Sequence, residues 1–236
     1  MRHWIQTLDS ILRGEATRPE VVRSGAFTVP VGGLAVLVVL LGATYGLCMA
    51  CFAVFHRSDP QYLQLVSSAA KVPALFLLTL AVTLPSLYVF NALMGSRLTA
   101  GAILQLLMAS LGVALAVLAS LGPIVAFFSF TTSSYPFMKL LNVAVFAFSG
   151  AAGLRFTMRT LFLLTRSHES EEGAVSNRSV RAVFATWVIV FGLVGAQMSW
   201  VLRPFLGDPD KPFEWFRPRE SNFFEAVRAT IAALLP

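Results

Sequence analysis

Apolar residues dominate this chain in runs, and the runs are separated by short polar breaks. Residues 71–164 contain no Asp and no Glu. Gly95-Ser96-Arg97 and residues 131–136 divide this stretch into three apolar pieces. Each exceeds the ~18 residues that cross a hydrocarbon core, which predicts membrane spans over 72–94, 99–128 and 137–164. A further span is predicted over 29–55, begun by Pro30, and another over 181–202. The pattern therefore predicts an all-α, polytopic transmembrane helix bundle of five spans. A spanning β-barrel would need short alternating strands, and none are seen.

Shorter amphipathic stretches flank the bundle. Over residues 3–13, Trp4, Ile5, Leu8, Ile11 and Leu12 fall on one helical face, with Gln6, Asp9 and Arg13 opposite. This helix is too short to span and is expected to lie in the interface, apolar face toward lipid. Thr17-Arg18-Pro19-Glu20 has capping-box spacing. Residues 61–70 read as another short interfacial helix. At the other end, Arg203-Pro204 stops the fifth span and Gly207-Asp208-Pro209-Asp210 is turn chemistry. Asn222 and Glu225 have capping-box spacing before a final amphipathic helix. Phe213, Trp215 and Phe216 are expected to anchor this tail at the interface. The chain thus divides into an N-terminal interfacial segment (1–28), a transmembrane domain (29–205) and a tail (206–236).

Within the spans, two kinds of residue stand out. Gly42, Gly46 and Ala50 recur every four residues, and small side chains at that spacing let helices approach closely, within the chain or between protomers. Gly153, Gly192 and Ala196 are further small contacts. The polar set is Asn91, Gln105, Lys139, Asn142 and Gln197. Their expected role is interhelical hydrogen bonding, the sharper alternative being the lining of a path or cavity. Pro85 predicts a kink in the second span, with Thr79, Thr83 and Ser86 near the freed backbone groups, and Gly122-Pro123 a break in the third.

Composition sharpens this picture. Hydrophobic residues make up 56% of the 236 and charged residues 13%, half the share of a soluble domain. The net charge of +6 gathers beside the apolar runs, so it points to orientation and anionic lipid rather than nucleic acid. Arg2, Arg13, Arg18, Arg23, Arg97 and the cluster from Arg155 to Arg181 fall on one side, against Arg57, Lys71 and Lys139 in the loops of the other, where the tail adds its own Arg residues and five carboxylates. That asymmetry predicts a cytoplasmic N-terminus and an external C-terminus, with Trp187 and Trp200 in the two aromatic belts.

Residues 1–14 lack a secretory pattern. Cys48, Cys51 and His56 are too few for a structural zinc site, and the cysteines read as small apolar side chains, so neither metal nor cofactor is expected. Carboxylates of the kind that mark coupled transport are missing from the spans, and no catalytic motif is present.

The segments KVPALFLLTL and LPSLYVFNALMGSRL, together with ASLGPIVAFF, SYPFMKLLNVAVFAFSG and the tail SWVLRPFLGDPDKPFEWFRPRESNFFEAV, resemble a group of uncharacterised bacterial polytopic membrane proteins. Some members are labelled actin-binding, and no actin-binding motif is found. The layout is similar to the Yip family of five-span proteins, without that family's signature near the first span. The resemblance implies the bacterial inner membrane. The expected function is that of a non-catalytic scaffold or assembly subunit, homo-oligomeric or part of a larger complex, in contact with membrane lipid. The alternatives are a channel or uncoupled transporter, and a lipid-binding protein.

Overall fold

A computed structural model describes residues 2–15, 18, 29–56, 62–93, 99–166, 176–208, 211–218 and 221–234. Among them lie seven helices and no strand: α1 (Arg2–Leu12), α2 (Val31–Phe55), α3 (Tyr62–Leu93), α4 (Ala100–Thr131), α5 (Tyr135–Arg166), α6 (Ser176–Val201) and α7 (Phe223–Ala232). Four are long and apolar enough to cross a membrane: α2, α3 over Tyr62–Val89, α4, and α5 over Tyr135–Thr160. In α6 the apolar stretch counted on described residues, Thr186–Val201, falls short of a crossing.

Local chemistry sets the helix starts. The Pro30 carbonyl accepts from Leu34 N at 2.9 Å, so the proline sits where its missing N–H is harmless. Thr99 Oγ1 accepts from Ala102 N at 3.2 Å, and Ser134 Oγ from Phe137 N at 3.4 Å, which are N-cap bonds for α4 and α5. Three boundaries differ from the sequence reading. Residues 62–70 do not form a separate helix but the first turns of α3, so Lys71 lies within a helix rather than in a loop. The Gly122-Pro123 pair does not end α4, which continues to Thr131. α6 begins at Ser176, five residues before the expected 181. Thr17, Pro19 and Glu20 lie outside the described residues.

The chain forms two compact units. Residues 1–38, 80–114 and 150–193 belong to the first, and residues 39–79, 115–149 and 194–236 to the second. In the first unit α1 packs into the helices with its apolar face. Leu8 and Ile11 are buried, a Cβ on Gly33 would meet Trp4 at 2.5 Å, and one on Gly112 would meet Leu8 at 3.1 Å. The face expected to lie on lipid is therefore turned, at Leu8 and Ile11, toward protein. Trp187 is fully buried, its Nε1–H donating to the Thr83 carbonyl at 3.4 Å, and so does not sit in an aromatic belt. Thr79, Thr83 and Ser86, near Pro85, donate to the Leu75, Leu80 and Thr83 carbonyls.

The core of the second unit centres on Tyr45, Met49, Phe52, Leu115, Leu118 and Met138, all at most 1% exposed. Phe146 packs edge-on against Tyr45 (5.4 Å between centroids) and stacked on Phe76 (5.9 Å). Here the strip Gly42, Gly46 and Ala50 faces α3. A Cβ on Gly42 would lie 3.0 Å from Pro73, and one on Gly46 would lie 2.4 Å from the Ser68 carbonyl oxygen. Ala50 is fully buried.

Candidate functional site

The densest polar cluster of the second unit lies on one face of α3. Gln64, Ser68 and Lys71 stand at i, i+4 and i+7, a spacing that stacks them along one side of a helix. All three are buried, so each needs a partner. The partners come from the C-terminal tail. Gln64 Nε2 donates to the Phe205 carbonyl at 2.8 Å and to Ser68 Oγ at 3.0 Å, and Ser68 Oγ donates to the same carbonyl. Lys71 Nζ donates to the Pro204 carbonyl at 3.1 Å and to the Trp215 carbonyl, and lies 5.0 Å from the centre of the Phe216 ring. An ammonium offers three donors. Two carbonyls and an aromatic face account for all of them.

The tail is shaped to present those carbonyls. Gly207 adopts φ +71°, a left-handed conformation that glycine takes without a Cβ penalty. A Cβ there would also lie 2.8 Å from Ala53 Cβ and 3.2 Å from Gln64 Cγ. Arg217 clamps the loop through Asp208 at 3.2 Å, with Glu214 at 3.9 Å. Arg203 stacks on Trp200 at 3.6 Å and donates to the Pro218 carbonyl, while Trp200 Nε1 donates to the Ser221 carbonyl. Asn222 and Glu225 form the full capping box of α7, the Asn222 side chain accepting from Glu225 N at 3.0 Å. No residue of α7 is buried.

Of the polar residues singled out in the sequence, Asn142 is buried and accepts from Tyr45 OH at 2.7 Å while donating to the Met138 carbonyl at 2.8 Å. Gln105 accepts from Val29 N at 3.4 Å in the first unit. Lys139 is half-buried, its ammonium 4.2 Å above the Tyr135 ring. Gln197 is exposed. The side chain of Asn91 lies outside the described residues. The structure therefore does not gather these five into one cluster. Among the small residues, Gly153 is a close contact, since a Cβ there would lie 2.9 Å from both Ala114 Cβ and the Ser110 carbonyl oxygen. Its own carbonyl accepts from Ser110 Oγ at 2.7 Å. A Cβ on Gly192 would meet no described neighbour within 4 Å, and Ala196 is half-buried.

Phe213 and Trp215 pack edge to face at 5.5 Å. Trp215 and Phe216 stay 49% and 60% exposed, so Trp215 holds the protein by its carbonyl rather than its ring. Cys48 borders Gly122, and the Cys51 thiol donates to the Leu47 carbonyl at 3.3 Å, as a packed cysteine does in a helix.

Sequence reasoning placed Gly207 in a turn but missed Gln64, Ser68 and Arg217, and took Lys71 for a loop cation. The signal was present. A Gln, a Ser and a Lys at i, i+4 and i+7 inside an acid-free apolar stretch mark a buried polar seam.

Among the described residues the fold is all-α, with four helices long and apolar enough to cross a membrane. Comparison with family models, curated proteins and solved structures finds no match to it.

Proposed function

We propose that this chain is a non-catalytic integral membrane protein of five spans, an oligomeric scaffold or assembly subunit whose tail forms an external cap. The observation that carries the reading is the docking of the tail on Lys71. A 28-residue helix over Tyr62–Val89 is about 42 Å long, against a core of about 30 Å. Lys71 then lies about 13 Å along the axis from Tyr62, below the surface of the hydrocarbon. A charge at that depth is tolerated only when it is satisfied by protein, and the tail supplies the carbonyls.

Other buried polar side chains serve the same end. Asn142 joins α5 to α2 and Ser110 joins α4 to α5, so these groups hold segments together rather than face a reactant. The set Arg2, Arg13, Arg18, Arg23, Arg97, Arg155, Arg159, Arg166, Arg178 and Arg181, against Arg57, Lys71 and Lys139 in the opposite loops, supports a cytoplasmic N-terminus. The resemblance over residues 71–230 supports a bacterial inner membrane.

Gentle extraction followed by size measurement and mass spectrometry tests the reading. The full chain is expected as an oligomer or with a bound protein, and removal of residues 208–236 is expected to disperse it. A monomer without partners, or solute flux in reconstituted vesicles, would reject the scaffold in favour of a different function.

A further inference from the structure

α7 has two faces, one half-buried and one exposed. Trp200 Nε1 donates to the Ser221 carbonyl and Arg203 to the Pro218 carbonyl, which ties the approach to α7 to the end of α6. Phe223, Ala226, Val227 and Thr230 stand at i, i+3, i+4 and i+7, so they share one side of the helix, and all four are half-buried. Phe224, Glu225, Arg228, Ala229, Ile231 and Ala232 share the opposite side, and all six are exposed. Phe224 is 51% exposed and Ile231 44%.

The charges on that outer face select its occupant. A helix laid on lipid buries an apolar face and carries cations on its polar one. Here Arg228 and Glu225 lie near the middle of the exposed face, with Phe224 and Ile231 at one edge. Laying this face on lipid would press the Glu225 carboxylate against anionic headgroups, which repel it. A second copy of α7 suits it better. In an antiparallel pair about a twofold axis, residues whose numbers share one sum lie at the same level. With the axis midway between 225 and 228, Glu225 of each copy lies beside Arg228 of the other, so the ion pair forms twice. The same register leaves Phe224 about 3 Å along the axis from Ile231 of the other copy, on one flank. A parallel pair would set Glu225 against Glu225 and Arg228 against Arg228, and like charges repel. Glu225 accepts from Asn222 N through one oxygen at 3.4 Å. A carboxylate has two oxygens, so this cap and a guanidinium partner are compatible.

Resting on the oligomeric reading, we propose that the exposed face of α7 pairs with α7 of a second copy, antiparallel, through two Glu225–Arg228 ion pairs and the flanking Phe224–Ile231 contacts. Two full-length chains with different affinity tags are coexpressed, each with Ala229→Cys and with Cys48 and Cys51 replaced by alanine. In the proposed register the two introduced thiols lie about 8 Å apart along the axis, within reach of a short bismaleimide. The extracted protein is expected to cross-link between the two tags. Arg228→Glu in both chains leaves the capping box intact and should lower the cross-link about fivefold, two exposed ion pairs being replaced by like charges. Glu225→Arg in both chains should lower it as well. Glu225→Arg in one chain with Arg228→Glu in the other re-forms both pairs and should restore the cross-link. Unchanged cross-linking in Arg228→Glu, or no recovery in the mixed pair, overturns the proposal. Quenching of a fluorophore on the introduced thiol by brominated lipid, with no cross-link, assigns the face to lipid and also overturns it. An oligomer of unchanged size that never cross-links overturns the α7 pairing alone, whereas a monomer by size overturns the oligomeric reading with it.

Discussion

Lys71 Nζ donates to the Pro204 carbonyl at 3.1 Å, joining residues 133 positions apart. A bond to a charged donor is worth about 1.5–3 kcal/mol. Lys71→Met removes the donor from both Pro204 and Trp215 while keeping most of the apolar stem. The expected result is a loss of about 2–3 kcal/mol, the cost of stranding the two acceptors being partly offset by no longer burying a charge. Trypsin should then cut at Arg217 far faster than in the wild type. Equal cleavage rates would show that the tail is held elsewhere.

The glycines of α2 and α6 should behave oppositely. Gly46→Ala drives a methyl group to 2.4 Å from the Ser68 carbonyl and should cost about 1–3 kcal/mol through displaced backbone. Gly192→Ala meets nothing within 4 Å and should stabilise by up to about 1 kcal/mol through helix propensity. Thermal unfolding in detergent measures both. A tolerant Gly46 would remove the α2–α3 contact from the account.

Tyr45→Phe leaves the ring against Phe146 and deletes only the 2.7 Å bond to Asn142. A double-mutant cycle with Asn142→Leu should return a coupling of about 0.6–1.7 kcal/mol. A coupling near zero would mean that the two residues act independently.

Cysteines introduced at Ser176 and Asp210, with Cys48 and Cys51 replaced by alanine, should label from opposite faces of the membrane. Labelling from one face would reject α6 as a span.

The helices were legible because apolar runs of crossing length need no tertiary information. What each face meets was not. Leu8 and Ile11 read as amphipathic whether they face lipid or protein, and only the gap left by Gly33 and Gly112 decides for protein. Gly42 and Gly46 signalled a close approach, but not that Pro73 and Ser68 occupy it. Lys71 was misplaced because a lysine beside an apolar run reads as its end. Its partners are backbone carbonyls at Pro204 and Trp215, which have no residue identity to be found in a sequence. Asn142 was visible as a polar outlier, while its partner Tyr45 passed for an ordinary core aromatic.

The separation of Lys71 from its acceptors also sets a timetable. Synthesis proceeds at about 5–20 residues per second, so the 133 positions between Lys71 and Pro204 take about 7–27 s. For that interval α3 holds an ammonium whose acceptors at Pro204 and Trp215 do not yet exist, so on the five-span reading it must keep Lys71 near water or headgroups. Once residues 203–216 are made, the Pro204 and Trp215 carbonyls become available to Lys71. A buried contact of α3, made in the first half of the chain, is thereby completed only by residues made at least 133 positions later.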